Sequence, residues 1–255
     1  MKKSYIVVTI LLLVLGALCF IFFEAIPITM LEDPLANKLL CGFISRFGLS
    51  LLFGWLIFIY GGKKYLVFTK AFFMMLAWSL PCFLVAFVNF PYSAIITNEV
   101  SIIRTDLMLV YTLYVIGVSI LEELVFRGVL LLLVMDIFKR YRHCPLWTTI
   151  ICALIFSLFH LTNLFMGADI SSVLLQCGYT FLIGAMLTVT MLKLKNVWLC
   201  VLIHAIFDFG GLLIVNLGSG NPLDVWFWIL TAVIGTLCAG HIIYTLIKLD
   251  RNYVS

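Results

Sequence analysis

The chain has 255 residues, 64% of them hydrophobic and only 11% charged, with a mean hydropathy of +1.21. An ordinary soluble domain carries roughly 25% charged residues and cannot bury this much apolar surface, so the composition excludes a soluble enzyme or binding module and indicates a polytopic membrane protein. The net charge of +4 does not point to nucleic acid, because the basic residues stand in small groups at the ends of apolar runs and form no patch.

The first apolar run, residues 6–23, follows Lys2 and Lys3 as a signal peptide would. It lacks an A-x-A cleavage site and exceeds the usual apolar core of such peptides, so an uncleaved first helix is expected. Further runs cover residues 39–60, 72–90, 107–138, 146–165, 173–192, 197–217 and 225–247. Each approaches or exceeds the ~20 residues that a bilayer-spanning helix needs. The runs are continuous rather than alternating, which argues against a β-barrel. The expected fold class is therefore all-α: a polytopic transmembrane helical bundle of about eight spans. The run 107–138 would make a helix of ~48 Å, too long for one span, and Gly128 is the expected break, with the stretch beyond it tilted or lying along the interface. No internal repeat or polar linker divides the chain. A single membrane domain over 1–255 is expected, with additional N-terminal spans in 1–106 and a core in 107–217.

The basic residues set an expected orientation. Lys2, Lys3, Lys63, Lys64, Lys70, Lys139, Arg140, Arg142, Lys193, Lys195, Lys248 and Arg251, 12 of the 16, fall on one side of this topology. Glu24, Glu32, Asp33, Glu99, Asp106, Asp169 and Asp224 fall on the other. By the positive-inside rule both termini are cytoplasmic, and the expected location is the cell membrane of a bacterium. The 8 cysteines lie almost entirely within apolar runs and form no CxxC pair, so they read as small apolar residues rather than a disulfide framework or thiolate zinc cluster.

Ionisable residues inside spans are costly and mark candidate sites. These are Arg46, Glu122, Glu123, Arg127, His160, His204, Asp208 and His241. Glu123 and Arg127, spaced i, i+4 with the acid first, form a favourable helical ion pair and are read as structural. Glu122 lies ~100° around the helix and has Phe126, not a cation, at i+4. A carboxylate without its own counter-charge, next to another, suits a group that takes and gives protons. In FSLFHLTN, Phe156, His160 and Asn163 share a face. In HAIFD, His204 and Asp208 do so at i, i+4, either as a structural hydrogen bond or as a pair presented to a metal or a substrate oxygen. Arg46 and His241 are read as structural.

The three groups, in this order, resemble the CAAX protease and bacteriocin-processing family of intramembrane endopeptidases (CPBP, or Abi), whose pattern is EExxxR, FxxxH and HxxxN or HxxxD. Here it stands as Glu122-Glu123 with Arg127, Phe156 with His160, and His204 with Asp208. The resemblance covers about residues 107–217 and implies an active site among the fourth, fifth and seventh spans. It implies hydrolysis of a peptide bond in a membrane-associated peptide or protein, CAAX-like or a leader, bacteriocin or signal peptide. Glu122, His160, His204 and Asp208 would be catalytic, supported by Glu123, Arg127, Phe156 and Asn163. Zinc is left open: His160 and His204 with Glu122 or Asp208 supply suitable donor types, yet no HExxH occurs and a metal-free glutamate mechanism serves as well. The implied partners are the peptide or membrane-protein substrate and the lipid bilayer, with no nucleic acid. Two other classes remain beside this one: a non-catalytic membrane immunity or scaffold protein, and a proton-coupled transporter, against which the absence of a repeat counts.

Overall fold

The computed structural model describes residues 28–59, 62–67, 71–165 and 167–254, so the first expected span, 6–23, lies outside the described residues. The architecture is all-α, with one short two-stranded ribbon. Helix α1 (Pro34–Ile59) begins with proline at its first position, and the Asp33 carboxylate accepts from the Ala36 backbone N–H at 2.7 Å. Residues 72–90 form two short helices, α2 (Phe72–Trp78) and α3 (Leu80–Val88). Backbone bonds from Ser79 N–H to Met75 and from Phe83 N–H to Ser79, both 3.0 Å, carry helical bonding across their junction. Helix α4 (Met108–Glu123) passes into a π-helical segment, Leu124–Leu130, and then into α5 (Leu131–Phe138). Helix α6 (Cys144–Phe159) ends in a 3-10 turn, His160–Leu164. Asp169 caps α7 (Ile170–Leu194) by accepting from Ser172 N–H at 3.1 Å, and Asn196 caps α8 (Val197–Leu217) by accepting from Leu199 N–H at 3.2 Å. Helix α9 (Val225–Val254) closes the described chain.

Among the described residues, five helices are long and apolar enough to cross a membrane: Pro34–Ile59, Cys144–Leu164, Ile170–Leu194, Val197–Leu217 and Val225–Tyr253. They coincide with five of the expected runs. The runs 72–90 and 107–138 are helical but subdivided, so neither stands as one uninterrupted α-helix. Gly128 does not break the helix as expected. It lies inside the π segment, where a Cβ would collide with the Ile57 Cδ1 of α1. The glycine therefore serves close packing, and the run changes its helical winding here rather than ending.

Helix α1 lies along α4, α6 lies along α7, and α8 packs on α3 and α4. Small residues let backbones meet where lipid provides no hydrophobic drive between helices. A Cβ on Gly184 of α7 would sit 3.2 Å from the Ala153 Cα of α6, and one on Gly210 of α8 would sit 2.7 Å from the Phe90 Cα beyond α3. The two ends of the bundle are tied separately. At one end Arg104 pairs with Asp33 and Asp106, both at 2.9 Å, and strand β1 (Val100–Ile102) runs antiparallel to β2 (Gly218–Gly220). At the other, the Trp198 indole donates to Leu66 O at 2.8 Å, the Tyr253 hydroxyl donates to Lys139 O at 2.6 Å, and His143 meets Asp250.

Candidate active site

Glu122 and Glu123 occupy the last turn of α4, immediately before the π segment. π turns recur where a helix must aim side chains at a functional site. Adjacent helical residues point ~100° apart, and the two glutamates meet different surroundings. Glu123 is fully buried. Its Oε1 accepts from Arg127 Nη1 at 2.7 Å, and the same atom lies 2.7 Å from His204 Nδ1. Glu122 keeps 20% of its side chain accessible, and its charged neighbours are His204, His160, Asp208 and Glu123.

The imidazole of His204, one-third of the way along α8, stands among three carboxylates. Nδ1 faces Glu123, while Nε2 lies 3.3 Å from Asp208 Oδ2 and 3.8 Å from Glu122 Oε2. Carboxylates only accept, so a ring donating from both nitrogens satisfies its two nearest partners. Glu123 does more than the sequence suggested: besides neutralising Arg127 it orients His204. Nothing local could show this, since residues 123 and 204 meet only through the packing of α4 on α8.

His160 sits where α6 tightens into the 3-10 turn, and its Nδ1 lies 2.9 Å from Phe156 O. A carbonyl can only accept, so Nδ1 donates, and in the neutral ring Nε2 is the nitrogen with a free lone pair. Phe156 is the common floor. The Arg127 guanidinium lies over its ring at 4.2 Å, and His160 and His204 stand edge-on at 5.0 and 6.0 Å. Phe126 adds a second ring, 4.9 Å from Phe156. Among the described residues, Arg127 Nε and Nη2 find no hydrogen-bond partner. The aromatic face compensates in part, a cation–π contact contributing ~0.5–2 kcal/mol.

Of the eight residues that the resemblance assigned to the site, seven thus converge: Glu122, Glu123, Arg127, Phe156, His160, His204 and Asp208. Asn163 is placed one step away, where its amide donates to Gln176 Oε1 of α7 at 2.8 Å. Two supporting residues escaped the sequence reading. The Tyr111 hydroxyl donates to Phe209 O at 2.6 Å, and the Asn89 amide donates to Phe207 O at 2.8 Å, so both hold the stretch of α8 that carries Asp208. A polar side chain late in an apolar run was the available signal for Asn89. Arg46 donates to Gly42 O at 3.0 Å and lies over the Tyr114 ring, and the His241 ring packs against Trp78, tilted by 49°, at 4.6 Å between centroids. Both lie in helix-packing contacts apart from the convergent group.

A catalytic zinc needs three protein donors directed at one point. Among the described residues no three His, Cys, Asp or Glu side chains are so arranged. His160 Nδ1 meets a backbone carbonyl and His204 Nδ1 meets Glu123, so the remaining nitrogen of each ring is Nε2.

Comparison with known proteins agrees with the motifs. A family model described as type II CAAX prenyl endopeptidase Rce1-like matches residues 104–210, the stretch that holds all three motifs. No curated protein and no solved structure matches the chain.

Proposed function

We propose, from the match of residues 104–210 to the Rce1-like type II CAAX prenyl endopeptidase family, that this integral membrane protein is an intramembrane endopeptidase that hydrolyses with a glutamate-activated water. The observation that carries the reading is the division between two neighbouring glutamates: Glu123 is buried with its Oε1 engaged by Arg127 and His204, whereas Glu122 remains partly accessible beside both histidines.

Hydrolysis of an amide needs a base, a held water and a donor for the developing oxyanion. Glu122 takes a proton from the water as the water oxygen bonds to the carbonyl carbon. The free Nε2 of His160 accepts the water's other hydrogen and so aims its lone pair. His204, held by Glu123 on one side and Asp208 on the other, directs Nε2–H toward the carbonyl oxygen. When the tetrahedral carbon collapses, the C–N bond breaks and Glu122 returns its proton to the leaving amine. Arg127 and Phe156 keep Glu123 and both rings in register. The substrate class is a membrane-associated peptide, with a CAAX-like terminus favoured by the family match and leader or bacteriocin peptides as the other choice.

Glu122→Gln tests this. The amide keeps the volume but cannot act as a base, so the cleavage rate should fall ~10²–10⁴-fold while the melting temperature holds. The readout is the rate on an internally quenched peptide ending in a prenylated CAAX sequence. Wild-type cleavage that survives Glu122→Gln overturns the mechanism. A wild type that cleaves neither this probe nor a leader peptide favours the non-catalytic scaffold.

A further inference from the structure

Two side chains from different elements bond to the backbone of α8 on either side of Asp208. The Tyr111 hydroxyl of α4 donates to Phe209 O at 2.6 Å and lies 3.4 Å from Asp208 O. Tyr111 is fully buried, and its ring packs against that of Phe209 at 5.4 Å between centroids. The Asn89 amide, at the end of α3, donates to Phe207 O at 2.8 Å. Three successive carbonyls are thus met from outside the helix, around the residue whose Oδ2 lies 3.3 Å from His204 Nε2. A helical carbonyl already accepts from the amide one turn later, and only its second lone pair takes a further donor. The backbone of α8 does not need these bonds for its own satisfaction.

Residues 207 and 209 stand ~200° apart around a helix, so the two donors grip α8 from nearly opposite sides. Asp208 lies ~100° from each, on the face it shares with His204. The grip falls where the helix is weakest, because Gly210 and Gly211 follow at once and glycine is a poor helix former. Gly211 also makes room for one donor: a Cβ there would lie 2.4 Å from Asn89 Nδ2. On α4, Tyr111 stands about three helical turns before Glu123, whose Oε1 lies 2.7 Å from His204 Nδ1. Helix α8 is therefore fastened to α4 at two heights, and either fastening alone would leave it free to turn about the other. A turn of ~15° moves a side chain at a radius of ~5–6 Å by ~1.5 Å. A misplacement of ~1 Å can cost ~10²-fold in rate.

Resting on the proteolytic reading above, we infer that Tyr111 and Asn89 are positioning residues that fix the rotation of α8, and so the aim of His204 and Asp208 at the scissile carbonyl. Both act at backbone carbonyls of α8 rather than at reacting atoms, and no bond of either is made or broken in the reaction. Tyr111 acts from the helix that also carries Glu122, so the base and the imidazole are held to one another through α4 itself. Gly211 belongs to the same arrangement, since a larger residue there would evict the Asn89 amide.

The test compares wild type, Tyr111→Phe, Gly211→Ala and Glu122→Gln as purified full chains on the quenched prenylated CAAX peptide. Tyr111→Phe keeps the ring and its contact with Phe209 but deletes the donor. Its kcat should fall ~10–10²-fold with KM little changed. Gly211→Ala keeps both donors, and the flexible end of Asn89 gives way to the new methyl group, so it should show the same kind of loss and keeps the test open if Tyr111→Phe folds poorly. In an Asp208→Ala background Tyr111→Phe should add nothing further, whereas a merely structural role lowers kcat by the same factor in both backgrounds. The 15N shifts of the His204 ring, identified by their loss in His204→Gln, should move in Tyr111→Phe although Tyr111 does not touch that ring. Wild-type kcat and His204 shifts in both Tyr111→Phe and Gly211→Ala, or an equal loss with and without Asp208, overturn the positioning role; with Glu122→Gln inactive, the proteolytic reading stands. Full activity in Glu122→Gln, or none in wild type, removes that reading and this inference with it.

Discussion

Glu123 and Arg127 illustrate how a costly charge is kept inside an apolar bundle. Their side chains are 0% and 1% exposed, and the pair is tied at once to an imidazole and an aromatic face. Removing one partner of a buried pair leaves the other charge without compensation, at a cost of about 3–5 kcal/mol. Arg127→Ala should therefore lower both the yield of folded protein and its melting temperature. Arg127→Lys keeps the charge but loses the planar stack on Phe156, and should lie between Arg127→Ala and wild type. Thermal melting in detergent checks both, and an Arg127→Ala variant that melts like wild type would show that the pair does not hold the site together. The i, i+4 spacing made this pair legible in the sequence. The third member, His204, was not legible as its partner, because a separation of 81 positions along the chain hides a contact of 2.7 Å.

At the level of elements, the site depends on where α8 is allowed to approach its neighbours. Gly210 lies two residues past Asp208, and a Cβ there would fall 2.7 Å from Phe90 Cα and 2.8 Å from Phe90 N. Both are backbone atoms, so a methyl group must push α8 away from the end of α3. Gly210→Ala should cost roughly 1–3 kcal/mol as overpacking and lower activity by shifting Asp208 and His204. Gly240→Ala is the control. It lies on α9, where a Cβ would meet nothing within 4 Å, and an alanine in a helix interior is favoured over glycine by ~1 kcal/mol. Melting temperatures of the two variants should move in opposite directions, and a Gly210→Ala protein as stable and active as wild type would count against close packing as the reason for this glycine. The composition of α8 did not reveal which of its glycines, 210 or 211, meets a backbone; that follows from the crossing with α3.

Across the whole molecule, the distribution of charge and the tertiary ties divide the loops in the same way. Asp33, Arg104 and the β1–β2 ribbon share one end of the bundle. Leu66, Trp198, Lys139 and Tyr253 are joined at loops that carry the lysines and arginines. We propose from the positive-inside rule that the basic end of the bundle faces the cytoplasm. Reporter fusions at Leu35 and Ser219 should report the outside, and fusions at Lys64 and Lys195 the inside. A cytoplasmic signal at Leu35 would reverse the orientation.

Apolar runs of bilayer length, the side bias of lysine and arginine, and three short motifs were enough to expect from sequence alone an all-helical membrane protein with its candidate site residues within 107–217. Each of those signals is local: hydropathy sums over ~20 neighbouring residues, and a helical face is visible at i, i+3 and i, i+4. The tertiary structure decided the rest. It placed the expected break, Gly128, inside a continuing π segment and against Ile57 of α1, which fills the space where a side chain would go. It gave the two adjacent glutamates different surroundings, because α8 brings His204 against Glu123 Oε1 and leaves Glu122 partly open. It moved Asn163 off the histidine and onto Gln176, since α7 lies beside the 3-10 turn. Each of these outcomes depends on which helix packs against which, and that is set by the fit of whole helical surfaces, which no short window of sequence contains.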